Sequence, residues 1–178
     1  MATKGGTRNV QDSLKEVMRG LPQGVTVVTA RAEGKLWGVT VSAFTMVSLD
    51  PPIVLISLMK GLSTSLALAS ATEFTINLLA DDQRTVSDRF AGRTALRDRF
   101  EGLRYGMEGA SSPVIEGVVG YIDCRKWKEY DGGDHTLILG EVTKATKLNR
   151  KAPLVYYMQQ YTSIVPPEIK EPLSDALW

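Results

Sequence analysis

The run from residue 38 to residue 60, GVTVSAFTMVSLDPPIVLISLMK, sets hydroxyl side chains inside an otherwise apolar, strand-like stretch. Thr40, Ser42, Thr45 and Ser48 are spaced through its first half, and the second half ends on Lys60, followed by Gly61-Leu62-Ser63-Thr64. Small hydroxyl residues let a flat polar heterocycle lie close to the backbone, where O–H and N–H groups meet its carbonyls and ring nitrogens. A lysine and two hydroxyls at the start of a helix form a phosphate seat, because the unpaired N–H groups of the first turn and the helix dipole both favour an anion. A ring seat beside a phosphate seat is the chemistry of a mononucleotide. The plainer alternatives are strand hydroxyls that bond locally and ordinary helix caps at Ser63 and Thr64. Composition alone favours the locally bonded strand hydroxyls, and it leaves caps and phosphate seat level at Ser63 and Thr64.

His135 lies in Gly132-Gly133-Asp134-His135-Thr136. Two glycines open space there, and an aspartate can orient the imidazole or favour its charged form. A surface histidine is the simpler reading. Arginines 84, 89, 93, 97, 99 and 104 are matched by six acids over residues 81–108. A solvated charged face is the default for that segment, and a cluster serving a dinucleotide's pyrophosphate is the sharper alternative.

Other constellations fail. One histidine and one cysteine exclude a zinc site built from several His and Cys ligands, and no metal site is expected. Neither GxxxxGK[ST] nor GxGxxG occurs. Ser57-Leu58-Met59-Lys60 has the S-x-x-K spacing but ends a strand rather than turning on a helix, and Gly61-Leu62-Ser63-Thr64-Ser65 lacks the closing glycine of a nucleophile elbow.

The elements that must position these residues read as follows. Residues 10–20 have apolar side chains at helical spacing. VTVVTA (25–30) is a strand, residues 31–35 a turn, and a second strand starts at Leu36. Asp50-Pro51-Pro52 interrupts pairing, and IVLISLM (53–59) reads as a strand buried on both faces. Helices are expected over 63–71, with hydroxyl caps, and over 81–92, opening with acids and closing on glycine. Strands follow over 73–79, 118–130 and 136–148, the last two as a long hairpin, with irregular charged sequence over 93–113. The picture is one antiparallel β-barrel of six or so strands with a few short helices.

With 178 residues the chain is most simply one domain. A net charge of +1 gives no support for a nucleic-acid partner. Cys124 stands alone and fits a reducing compartment, and no stretch approaches the length of a membrane helix. A cytoplasmic protein is expected.

Together, GVTVSAFTMVSLDPPIVLISLMKGLSTS, FTINLLADDQRTVSDRFAG, GDHTLILGEV and PLVYY resemble the flavin reductase family with the FMN-binding split-barrel fold, over residues 10–162. The resemblance implies a mainly β, six-stranded antiparallel split barrel that forms a homodimer. It implies that FMN or FAD is reduced with NADH or NADPH, and that the product passes to a separate flavin-dependent monooxygenase component. Carried over, Thr40, Val41, Ser42, Ala43 and Thr45 would line the isoalloxazine and ribityl chain. Ser57, Leu58 and Lys60 with Ser63 and Thr64 would hold the ribityl and phosphate groups. Asn77 and Leu78 would border the ring system, while Phe90 and His135 would face the nicotinamide, with His135 positioning it. The implied organisation is a flexible N-terminus (1–9), a reductase-like domain (10–165) and an extended tail (166–178). Met158-Gln159-Gln160-Tyr161 departs from the short basic-glycine turn common in the family. The competing readings are a non-enzymatic flavin-binding or sensing barrel and a pyridoxal-phosphate-type oxidase on a related barrel, which the GDHT segment disfavours.

Overall fold

The computed structural model describes residues 9–164; the expectations for residues 1–8 and for the tail at 166–178 lie outside the described residues. Three helices and twelve strands follow in order. Helix α1 spans Val10–Arg19, α2 Ser63–Ser70 and α3 Arg84–Phe90. The strands are β1 (Gln23–Gly24), β2 (Thr26–Ala32), β3 (Lys35–Val41), β4 (Phe44–Leu49), β5 (Pro52–Met59) and β6 (Glu73–Leu78). They continue with β7 (Tyr105–Gly106), β8 (Val114–Ile115), β9 (Gly120–Gly132), β10 (His135–Lys147), β11 (Leu154–Tyr157) and β12 (Gln160–Ser163). No described helix is long and apolar enough to cross a membrane.

The main sheet has seven strands in the order β3-β2-β6-β9-β10-β5-β4, every pair antiparallel, where the sequence suggested six. The extra strand is β4, which pairs with β5 around the Asp50-Pro51 corner. Smaller sheets join β1-β11-β12 and β7-β8. No ladder joins β3 to β4 among the described residues, so the sheet is not closed by hydrogen bonding along that seam.

Consecutive strand side chains point to opposite faces, and β2 shows why its run is apolar throughout. Val28 and Ala30 enter one core cluster with Ile56, Leu58, Phe74 and Ile138, whereas Val27 enters a second with Phe90, Phe100, Ile115 and Leu154. Both faces of β2 are therefore covered, and the hairpin β2–β3 is fixed in register by a two-residue turn. Glu33 and Gly34 both adopt positive φ (52° and 72°), the turn whose twist matches paired strands.

Boundaries differ from the expectations where caps were inferred. Asp81 and Asp82 precede α3 rather than entering it; the N-cap is Gln83, whose Oε1 accepts the N–H of Ala80. The N-cap of α2 is Leu62, and no side chain caps that helix. The hydroxyls at its start are thus not used as caps. Asn9 does cap α1, accepting the N–H of Asp12 at 2.8 Å.

Candidate functional site

The ends of β3 and β5, the first turn of α2 and the end of α3 surround a cavity of about 360 Å³. This is within the usual range for small-molecule sites. Thr40, Val41, Ser42 and Ala43 line it from β3 and the corner beyond, with Ser57 and Leu58 from β5. Ser63, Thr64, Phe90 and His135 complete the group that the sequence reading brought together. The corner is held to β5 by the Ser57 N–H, which donates to the Ala43 carbonyl at 3.0 Å. The Thr40 hydroxyl donates to the Ser87 carbonyl at 2.7 Å and so ties α3 beneath β3.

Four of the expected residues lie elsewhere. Thr45 is exposed on β4, its hydroxyl turned to the Met46 carbonyl. Leu78 packs against the first core cluster. Asn77 is fully buried, with its amide donating towards Val27, Thr29 and Pro113 and its Oδ1 accepting the N–H of Ile115 at 2.8 Å. The Lys60 ammonium donates to Asp131 and to the Gly133 carbonyl, each at 2.7 Å, and is not among the lining groups. Lys60 therefore clasps the β9–β10 hairpin mouth, and its hydrogen bond, with that of the Gly133 N–H, holds the Asp131 carboxyl below the ordinary carboxylate range.

The cavity also has residues that the sequence reading missed: Val39, Met59, Leu62, Ser65, Ala91 and Arg99. Ser65 had a signal, since it continues the Ser63-Thr64 hydroxyl run; Arg99 was one of six arginines weighed as a pyrophosphate cluster, and nothing in the sequence separated it from the other five. Thr64 and Ser65 are 9% and 5% exposed, and neither hydroxyl has a hydrogen-bond partner among the described residues. Buried hydroxyls normally find partners. No enclosed side-chain oxygen lacks a partner among the described residues, so these two hydroxyls stay accessible at the cavity, beside an uncapped helix start where an anion or polar ligand would meet them.

Phe90 is fully buried and meets Phe100 edge to face, with ring centroids 5.1 Å apart. Gly38 lies under its ring, and a Cβ there would fall 2.4 Å from Phe90 Cε1. Glycine is required at this close approach. Across the β5–β10 ladder, His135 pairs with Met59. Its Nδ1 lies 2.6 Å from Asp134 Oδ1, and this contact holds the Asp134 carboxyl below its usual value. An ionised carboxylate only accepts, so Nδ1–H donates and Nε2 is left for a ligand. Cys124 takes no part: burial, then the neighbouring Asp123, pushes its thiol up to about 12. No group of three or more metal-ligating side chains occurs among the described residues.

The family model described as "Flavin reductase like domain" matches residues 18–165. The chain is 33% identical over 143 residues to the reductase subunit HsaB of a flavin-dependent monooxygenase from Rhodococcus jostii, covering 80% of this chain and 72% of that one. It is 40% identical over 135 residues to the FMN reductase (NADH) SmoA of Agrobacterium fabrum, covering 75% of each. Among solved structures, nitrilotriacetate monooxygenase component B from Mycobacterium thermoresistibile superposes with a TM-score of 0.84 at 32% identity, covering 94% of each chain.

Proposed function

The chain belongs to the flavin reductase family, and from that membership we propose that the cavity between β3, β5 and α2 is where it reduces flavin. It is an NAD(P)H:flavin oxidoreductase that takes FMN or FAD with NADH or NADPH and supplies reduced flavin to a partner monooxygenase. The observation that carries the assignment of the site is the pair of accessible, unpartnered hydroxyls of Thr64 and Ser65, at an uncapped helix start in a cavity walled by small residues.

The residues fit the group. Ser42, Ala43 and Ser57 keep the wall low enough for a planar ring to approach the backbone, while Val41 and Leu58 exclude water beneath it. Ser63, Thr64 and Ser65 offer hydroxyls and first-turn N–H groups to the phosphate. Bound flavin supplies a two-electron acceptor for the hydride of the nicotinamide nucleotide. The protein's part is orientation and exclusion of water rather than proton transfer. His135, steadied by Asp134, positions the nicotinamide nucleotide, and Phe90 gives the adjoining apolar wall.

The finer reading of the fold is a split barrel, in which β3 and β5 approach across the cavity without a shared ladder. A homodimer in the cytoplasm completes the proposal. Edge strand β4 supports it, since Met46, Val47 and Leu49 are exposed there and an apolar sheet edge is ordinarily covered. The test of function is nucleotide oxidation by the purified chain with and without added flavin. Oxidation of NADH or NADPH that depends on flavin is expected. Failure to oxidise either nucleotide with FMN, FAD or riboflavin would favour a flavin-binding protein without reductase activity.

A further inference from the structure

Thr40, Ser42 and Ala91 line the flavin cavity and also a smaller one of about 170 Å³, whose far wall is Ser87, Arg93 and Tyr161. Tyr161 reaches this wall from β12, 74 residues beyond Ser87. Met158 and Gln159 both adopt positive φ (49° and 63°), and the tight turn they make sets Tyr161 opposite Tyr156 of β11. The two rings meet edge to face with centroids 5.5 Å apart. The Arg84 and Arg93 guanidiniums lie over the Tyr161 ring, 5.4 and 5.8 Å from its centroid. The ring is thus fixed without help from its hydroxyl.

The hydroxyl is spent on α3. Its proton goes to Asp88 Oδ1 at 3.1 Å, and its oxygen accepts from Ser87 Oγ at 2.9 Å and from Arg93 Nη1 at 3.3 Å. Ser87 is fully buried, and its Oγ has no other partner among the described residues. A helix of seven residues does not sustain itself, so contacts of this kind decide where it lies. The Ser87 carbonyl receives the Thr40 hydroxyl, and α3 ends on Phe90 followed by Ala91, both lining the flavin cavity. Strand β3 keeps its own place through its ladder with β2. The part of the cavity that depends on Tyr161 is therefore the α3 wall rather than the flavin seat on β3 and β5.

We propose that Tyr161 is a positioning residue for flavin reduction: its hydroxyl, through Ser87 and Asp88, holds the end of α3 where Phe90 and Ala91 align the nicotinamide with the flavin. The proposal rests on the flavin reading of the cavity. In the step concerned a hydride leaves the nicotinamide, which is oxidised, and joins the flavin, which is reduced by its two electrons. That transfer tolerates little displacement, and a shift of about 1 Å in a supporting element costs roughly a hundredfold in rate. Tyr161 thus bears on the rate at saturating nucleotide, whereas His135 bears on nucleotide binding.

Anaerobic rapid mixing of the full chain and flavin with saturating NADH or NADPH tests this in wild type, Tyr161→Phe and the double variant Tyr161→Phe/Ser87→Ala. Tyr161→Phe keeps the ring but leaves the Ser87 hydroxyl without its partner, so its melting temperature should fall. The double variant removes that orphaned group and should melt close to wild type. Both variants should reduce flavin about ten- to a hundredfold more slowly, with FMN and FAD affinities by equilibrium dialysis near wild type. Reduction at the wild-type rate by either variant would overturn the proposal, and in the double variant it would leave Tyr161 a role in stability alone. So would a loss of flavin affinity as large as the loss of rate, which would make the hydroxyl a support of the flavin seat. A wild type that oxidises neither nucleotide in the presence of flavin would instead remove the flavin reading, and this proposal with it.

Discussion

Thr64 and Ser65 carry the phosphate side of the account, and Lys60 does not stand where its position in sequence suggested. The sequence shows a lysine three residues before a helix and cannot show that Asp131, 71 residues away, holds its ammonium at 2.7 Å. Long-range pairing of that kind leaves no local pattern. The expected consequence is a split between variants, read by FMN and riboflavin affinities. Thr64→Ala with Ser65→Ala should weaken FMN by about 1.5–3 kcal/mol, roughly tenfold to a hundredfold, and riboflavin far less. Lys60→Ala should affect the two ligands alike, because it loosens the hairpin mouth rather than removing an anion partner. Equal losses in the hydroxyl variant would place the phosphate elsewhere. His135 was legible as a candidate from the glycines and aspartate before it, and the 2.6 Å contact with Asp134 agrees with that reading. His135→Ala should raise the KM for NADH or NADPH with kcat little changed, the mark of lost binding common to ground and transition states. Rapid-mixing reduction slowed by orders of magnitude at saturating nucleotide would make the residue catalytic instead.

At the scale of elements, periodicity and punctuation located the three helices and most of the main sheet to within a few residues, and missed the short strands β1, β7, β8, β11 and β12. IVLISLM lies wholly in β5, and VTVVTA and the paired runs at 118–130 and 136–148 fall on β2, β9 and β10 but for Val25, Val118, Val119 and Leu148. What remained hidden was which neighbours each element meets. Asn77 sits in a strand beside residues that look like ring neighbours, yet its carboxamide is consumed by Val27, Thr29, Pro113 and Ile115 in the core. Gly38 reads as one more glycine in a strand, yet it sets how close Phe90 and α3 can come to β3. Gly38→Ala should displace the Phe90 ring and disturb Arg99, which bonds both their carbonyls. Overpacking of this kind costs about 1–3 kcal/mol. Thermal melting should show a fall of several degrees, and dialysis a weaker grip on flavin. A melting temperature and flavin affinity equal to wild type would mean that α3 is free to shift and does not define the cavity.

For the whole molecule, the family resemblance gave the architecture more fully than composition could. An ordinary apolar fraction and a net charge of +1 narrow the class without naming a fold. The count of six strands fell short because the run from Leu36 to the Asp50 corner was read as one strand, whereas it breaks at Ser42-Ala43 into β3 and β4. Assembly belongs to this scale too. Light scattering at micromolar concentration should give twice the chain mass, since β4 otherwise leaves Met46, Val47 and Leu49 in water; a fully active monomer would contradict that. The central claim is that flavin is reduced in the cavity walled by Ala43. Its most direct test is anaerobic rapid mixing of NADH or NADPH with flavin, comparing wild type with Ala43→Trp. Ala43 is exposed at the cavity wall, so the larger ring can fill the cavity without entering the core. The account predicts rapid loss of oxidised-flavin absorbance with wild type and almost none with the variant, both proteins melting at the same temperature. Reduction by Ala43→Trp at the wild-type rate would contradict it.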